Sequence, residues 1–383
     1  MSRVTYESDI RFLREHTNLI ELGQCDDARI AIAPDFQGRV MTATLAGDSG
    51  ASYGWVNRPF IIEGRDDPKF NNYGGSDRFW LGPEAGQYAL FFKNGDEFDM
   101  DNWKCPPEFT TGPFSVTASS DTSVELATTF AVTNYSGRRF DCDVTRTINL
   151  VTRDELTNDL GITIDDSVKT VAYESLNTLT NAGSDDWGLD IEENREKGMI
   201  CLWTLGMMKG LANGRVIIPF IPGAEAELGP KVIGDYFDQV PADRLKIAED
   251  FCSFRCDAKQ AGKIGVRSGR AKNVFGCYDI ANKQLTIVKF NLPADAADRK
   301  YVNPAWEHQE NPFEGDGPNS YNDTGTDDGE ATFFELESSS PVCDLAPGES
   351  MTHTHRTCHF EGTFEAMNAI SKAVLGIDLN DIE

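Results

Sequence analysis

The stretch TFFELESSSPVCDLAPGESMTHTHRTCHFEG, residues 332–362, decides how this chain is read. It reads as a strand, a turn-rich connection and a second strand, and it gathers three of the five histidines. Successive side chains on a strand point to opposite faces, so Glu335 and Glu337 share one face of the first strand. His353, His355 and His359 likewise share one face of the second. Pairing the two as an antiparallel hairpin centred near Leu345 sets Glu337 opposite His353 and Glu335 opposite His355. Turn type does not fix that register, because the connection is long, and a one-residue slip would turn the whole set to the other face.

Outward from this stretch the chain is a succession of β signals. FSVTAS, VELATTFAVTNY and FDCDVTRTINLV, between Pro113 and about Leu150, each alternate apolar with polar residues, as half-buried antiparallel strands do. Short β-prone runs at Asn18 to Leu22, Ala28 to Ala33 and Arg39 to Leu45 predict a meander. KTVAYESLNTLTNAG, MICLWTLGMM, RVIIPFIPG and KIGVRS extend the series, as does NVFGCYDIANKQLTIVKFNL with its turn at Asn282 and Lys283. Helical spacing is confined to few places. SDIRFLREH, residues 8–16, predicts a short helix capped by Ser8, with Ile10 and Leu13 inward. Phe364, Met367, Ile370 and Val374 predict a closing helix over 364–377. Residues 155–162 fit either a helical turn or a strand end, and a short helix is expected over Ala242 to Glu249. The fold class is therefore all-β, a large antiparallel sandwich with short N- and C-terminal helices.

With 383 residues and 40% hydrophobic content the chain buries a large core. No clear linker or repeat divides it, so one domain over 1–383 is expected. The net charge of −27 argues against nucleic acid and anionic membranes as partners, since both bind through Lys and Arg. MSRVTYESDIRFLREH lacks the apolar core of an export signal, and no later run reaches the length of a membrane span. A soluble, cytoplasmic chain is expected, although removal of a signal would leave the same start; oligomeric state is left open. Nine cysteines, at 25, 105, 142, 201, 252, 256, 277, 343 and 358, show no CxxC spacing and read as reduced, mostly buried thiols. Cys252 and Cys256 are the closest pair, and a metal there would need two further ligands.

Three constellations can carry chemistry. In the first, His353 and His355 leave the backbone roughly 7 Å apart and can meet on one ion with Glu335 or Glu337, while His359 stands roughly 13 Å further on. Without metal, a carboxylate facing an imidazole suits general acid–base work, and ring opening of a sugar by such a pair needs no cofactor. The same residues also read as surface cross-strand partners. The second is GGSDRFWLGPEAG, residues 74–86. There Gly74 and Gly75 permit a tight backbone, and Arg78, Trp80 and Glu84 share parity and can hold a polyol between a ring face and charged groups. A buried Arg–Glu pair under a core tryptophan would look alike. The third is the loop 306–329, WEHQENPFEGDGPNSYNDTGTDDG, expected to be long and structureless. Its Asn319, Tyr321 and Asn322 are candidate substrate contacts, and Asp316 and Asp323 are further oxygen donors whose spacing is not that of an EF-hand.

GGSDRFWLGPE, NSYND, FELESSSP and THTHRTCHF, taken in order with the early QCDDARIAIAPDFQGRVMTATL, resemble a bacterial branch of the galactose mutarotase-like superfamily. The resemblance runs from about residue 18 to 362 and is closer to that branch than to true aldose 1-epimerases. It implies an antiparallel β supersandwich with a carbohydrate-facing concave surface, and so a small-molecule or oligosaccharide ligand. Epimerases of this kind use a glutamate base late in the chain, which Glu335 or Glu337 matches in placement. They also use a histidine acid in mid-chain, whereas no histidine lies here between His16 and His308, so that role falls to His353 or His355. The implied function is a mutarotase- or epimerase-like acid–base enzyme. A non-catalytic glycan-binding protein and a metal-dependent lyase or hydrolase on the same fold are the alternatives.

Overall fold

A computed structural model describes residues 4–23, 27–326 and 329–383. Its strands form three antiparallel sheets. The largest has ten strands, in the order Leu245–Ile247, Phe251–Arg255, Gly214–Pro219, Val274–Asp279, Gln284–Phe290, Ser350–Glu361, Lys169–Asn181, Arg139–Val151, Ser123–Thr133 and Ser115–Ser119. A five-stranded sheet runs Gly262–Arg267, Asp316–Asn322, Phe333–Val342, Cys201–Lys209 and Arg78–Gly82. The predicted N-terminal meander is the third sheet, Ile20–Gly23, Arg29–Ala33 and Arg39–Thr44.

Alternation along the strands builds two layers of core. On Gln284–Phe290, Val288 and Phe290 pack with Phe334, Leu336, Ile264 and Val266 of the five-stranded sheet. Leu285 and Ile287 of the same strand face the other way, with Cys358 and Phe360, under Met367 and Ile370 of the closing helix Phe364–Val374. Full burial of such side chains contributes about 1.5–3 kcal/mol each, which fixes which face of each strand points inward.

The hairpin expectation is corrected. Phe333–Val342 pairs with Cys201–Lys209 and Asp316–Asn322, whereas Ser350–Glu361 pairs with Gln284–Phe290 and Lys169–Asn181. The connection after Val342 thus crosses from one sheet to the facing one, so the two strands share no ladder. The loop 306–329 is also corrected, because Asp316–Asn322 is a buried strand. Several of its polar groups are satisfied within the protein: Ser320 Oγ donates to the Glu335 carbonyl at 2.6 Å. Asn322 donates to the Gln260 carbonyl at 2.8 Å and accepts from the Ala258 N–H at 2.9 Å.

Smaller differences have local causes. The first helix is Tyr6–His16, and Thr5 rather than Ser8 is its cap, the Ser8 N–H donating to the Thr5 hydroxyl. Residues Arg153–Leu160 settle as a helix because Thr152 and Glu155 form a reciprocal capping box. The helix expected over 242–249 is absent. Leu245–Ile247 adds a strand to the sheet edge, and the short helix of that region is Glu225–Leu228. Eight cysteines are buried and free, and Cys25 lies outside the described residues.

Candidate functional site

The outer face of the five-stranded sheet is the floor of a cleft of roughly 670 Å³. Every strand of that sheet contributes alternate residues: Arg78 and Trp80, then Trp203, Leu205 and Met207, then Phe333 and Glu335, then Tyr321, then Lys263. Their intervening neighbours, such as Phe334, Leu336, Ile264 and Val266, point to the core. Glu84, Trp103, Phe237 and Trp306 rise from the connecting segments as walls. Gly74 and Gly75 bring the chain to the first of these strands at φ of +85° and +109°. A Cβ on Gly74 would collide with the Trp55 carbonyl, which is the tight approach that only glycine permits.

Two buried cation–carboxylate groupings organise the floor. The Arg78 guanidinium bonds Glu335, with side-chain exposures of 2% and 8%, and its Cζ lies 4.4 Å from the centroid of the Trp80 ring. The Lys263 ammonium stands 3.1 Å from Glu337 Oε2, 3.7 Å from Glu84 Oε2 and 4.6 Å above the Trp203 ring. The Trp203 indole N–H donates to Glu337 at 2.9 Å, and that of Trp103 to Glu84 at 3.1 Å. Trp80 and Trp203 are register partners and meet edge to face, with centroids 5.6 Å apart.

These surroundings set the charges. Burial pushes the Glu335 carboxyl well above the usual carboxylate range, with Arg78 opposing and Glu337 adding. Burial raises Glu84 as well, against the pull of Lys263. Burial acts to lower Lys263, but Glu337, Glu84 and Glu335 outweigh it and hold the ammonium charged. Arg78 Nε and Nη1 and the Trp80 indole N–H are buried without a partner among the described residues.

Of the residues singled out in the sequence, Arg78, Trp80, Glu84, Tyr321 and Glu335 line this cleft. Glu337 lies just beneath it on Lys263. Asn319, the register partner of Glu337, lines a small cavity beside the cleft, and Asn322 is held by backbone groups away from the cleft.

The opposition of His353 and His355 to Glu335 and Glu337 is corrected. Both imidazoles are fully buried between the two large sheets, where His353 Nε2 and His355 Nδ1 each lie 2.8 Å from the Ser338 hydroxyl. Ser338 is on the face of its strand opposite to Glu335 and Glu337, so the sheet itself separates these histidines from the cleft. Burial holds both down to about 3, and neither carries the proton that a catalytic acid would give. His359 is in the same layer, stacked on Tyr53.

Lys263, Trp203, Trp103 and Trp306 were not singled out from the sequence. The signal for Lys263 was present in KIGVRS, where alternation sets it opposite Ile264 and Val266. Trp203 was concealed in a run that reads as uniformly apolar.

The fold is shared with solved structures. A candidate aldose 1-epimerase from Escherichia coli K12 superposes with a TM-score of 0.51 at 12% identity, covering 90% of this chain and 99% of its own. The Slr1438 protein from Synechocystis sp. PCC 6803 gives 0.51 at 10%, covering 94% and 99%. The mutarotase-like β supersandwich expected from the sequence is therefore the fold of this chain, and at such identities the likeness is one of fold. No curated protein is matched by the sequence. The profile of a family of unknown function, DUF6786, matches residues 4–383.

Proposed function

We propose that this chain, which belongs to the DUF6786 family of unknown function, binds a carbohydrate in the cleft and catalyses proton transfer at its anomeric centre. One observation carries the reading. Buried N–H donors with unfilled capacity, on Arg78 and Trp80, lie beside aromatic ring faces and next to two carboxyls, Glu335 and Glu84, raised above the ordinary range. Ring faces take the apolar side of a sugar, and charged donors and acceptors take its hydroxyls. The fold, shared with a candidate aldose 1-epimerase, supports the ligand class.

In this reading one of the two carboxyls, Glu335 or Glu84, takes the proton of the anomeric hydroxyl while the other gives its proton to the ring oxygen as the bond from that oxygen to the anomeric carbon breaks. Reclosure on the other face reverses both transfers, so nothing is consumed. A carboxyl whose affinity for protons lies near the working pH serves both directions. Arg78 and Lys263 orient the hydroxyls and steady the charge that moves between the carboxyls.

The test is anomer interconversion followed by NMR exchange over a panel of neutral aldoses. Acceleration by the wild type, lost by at least about 100-fold in Glu335→Gln with sugar affinity kept, is the expected result. No acceleration with any sugar, or full activity in Glu335→Gln, overturns the assignment. Binding without acceleration would instead support the glycan-binding reading.

A further inference from the structure

Beside the cleft, sharing Glu84, Trp203 and Lys263 with it, lies a cavity of roughly 10 Å³ that Asp316, Asn319 and Ser339 also line. About that volume holds one water, provided it meets two to four polar partners. We propose that this cavity is a binding site for one water molecule, which joins Asp316, held as the neutral acid, to the Lys263–Glu337 pair as a buried proton store for the cleft.

The donor and acceptor tally supports the assignment. Asp316 Oδ1, Asn319 Oδ1 and Glu337 Oε1 are buried acceptors without a partner among the described residues, and the three residues are 2%, 2% and 0% exposed. A set made only of acceptors needs donors. Lys263 has three N–H groups, one committed to Glu337 and one directed at Glu84. The third is available to a water, which then donates both of its own protons to the unpaired oxygens, and the carboxyl proton of Asp316 supplies the remaining bond. Lys263 in the same cavity repels a divalent cation. Among the described residues no group of three His, Cys, Asp or Glu is placed to hold a metal.

The groups around Asp316 fit a neutral acid. Tyr236 donates its hydroxyl to Asp316 Oδ2. Glu337, Glu84 and the Cys201 thiol face the same region. Arg267, its register partner, turns instead to Glu314 at 3.0 Å. A Cβ on Gly265 would collide with both the Tyr236 hydroxyl and Asp316, so the missing side chain makes room for their contact. Burial, with the charge of Glu337 adding, pushes Asp316 up to about 8. When Glu84, which lines the same cavity, needs a proton, Asp316 gives one to the water, which passes one on to Glu84; one carboxyl loses what the other gains. The store serves the acid–base reading above, but it is detectable without turnover, so the two can fail separately.

Infrared difference spectra of the full chain, titrated from neutral to alkaline pH, test it. The wild type should show a protonated-carboxyl carbonyl band that disappears with a midpoint near 8. Because the raised Glu335 and Glu84 carboxyls absorb in the same region, the Asp316 component is read by difference: it should be lost in Asp316→Asn, kept in Glu335→Gln, and shifted in frequency in Tyr236→Phe. A band set unchanged by both Asp316→Asn and Tyr236→Phe overturns the store. If Asp316→Asn does not fold, the Tyr236→Phe shift decides. A high-resolution crystal structure should place one water within hydrogen-bonding distance of Lys263 Nζ and Asp316 Oδ1. An anomalous metal peak or an empty cavity there overturns the water site.

Discussion

Replacing Arg78 by Met tests how the cleft floor is held together. The Arg78–Glu335 pair is buried, with side-chain exposures of 2% and 8%, and Glu337 is close enough to repel Glu335. Removing one partner of such a pair costs about 3–5 kcal/mol when the other stays charged. Glu335 has an escape. Its carboxyl is already raised by burial, and Arg78 is the largest influence opposing that rise. Without Arg78 the carboxyl takes up a proton, and the cost becomes dependent on pH. The sign is fixed by linkage. A group whose folded affinity for protons exceeds its unfolded value, 4.5 here, favours the folded state at low pH and loses that contribution as pH rises through the window above 4.5. Each pH unit in that window is worth about 1.4 kcal/mol. Arg78→Met should therefore cost little near pH 5 and approach about 3–5 kcal/mol at alkaline pH. Urea unfolding at several pH values measures this, and Arg78→Met/Glu335→Gln should abolish the added pH dependence. A cost independent of pH, or a double variant as pH-dependent as the single, refutes the reasoning.

Other outcomes follow from the same geometry. Trp80→Phe keeps a ring on the floor but removes the indole N–H, worth about 0.5–1.5 kcal/mol, so sugar affinity should fall by roughly 2- to 13-fold in a calorimetric titration. Unchanged affinity would place the ligand elsewhere. His353 and His355 sit near 3 against an ordinary value of 6.5, so their contribution to stability is complete above 6.5 and is lost as pH falls toward 3. Each contributes a slope of about 1.4 kcal/mol per pH unit in that window, and His355→Gln should remove one such slope in acid unfolding curves. Sugar turnover in His355→Gln should match the wild type, and a collapse of turnover without loss of stability would return the histidines to the active surface.

Much of the fold was legible because alternation is a local property. Ser123–Thr133 and Arg139–Val151 declare their buried faces residue by residue, and Arg78 and Trp80 share a face for the same reason. Pairing is not local. Phe333–Val342 is buried along both faces, one meeting the cleft and the other the facing sheet, so the pattern cannot say which face meets which neighbour. Hence Glu335 and His355, adjacent in a hairpin drawn from sequence, stand on opposite sides of a sheet. Asp316–Asn322 reads as turn chemistry because Asp, Gly, Pro and Asn usually seek water there, and only partners distant in the chain satisfy them as a strand. Lys263 was obscure for a related reason: its carboxylate partner Glu337 lies 74 residues away, and a lysine without a visible counter-charge reads as solvated.

The central claim is that the floor built by Arg78, Trp80, Lys263 and Glu335 holds a carbohydrate. Saturation-transfer NMR against a panel of neutral mono- and oligosaccharides tests it most directly, run on the wild type and on Arg78→Met at a pH where both are folded. The account predicts transfer to at least one sugar in the wild type and its loss in Arg78→Met. Transfer to no sugar, or equal transfer in the two proteins, would contradict it.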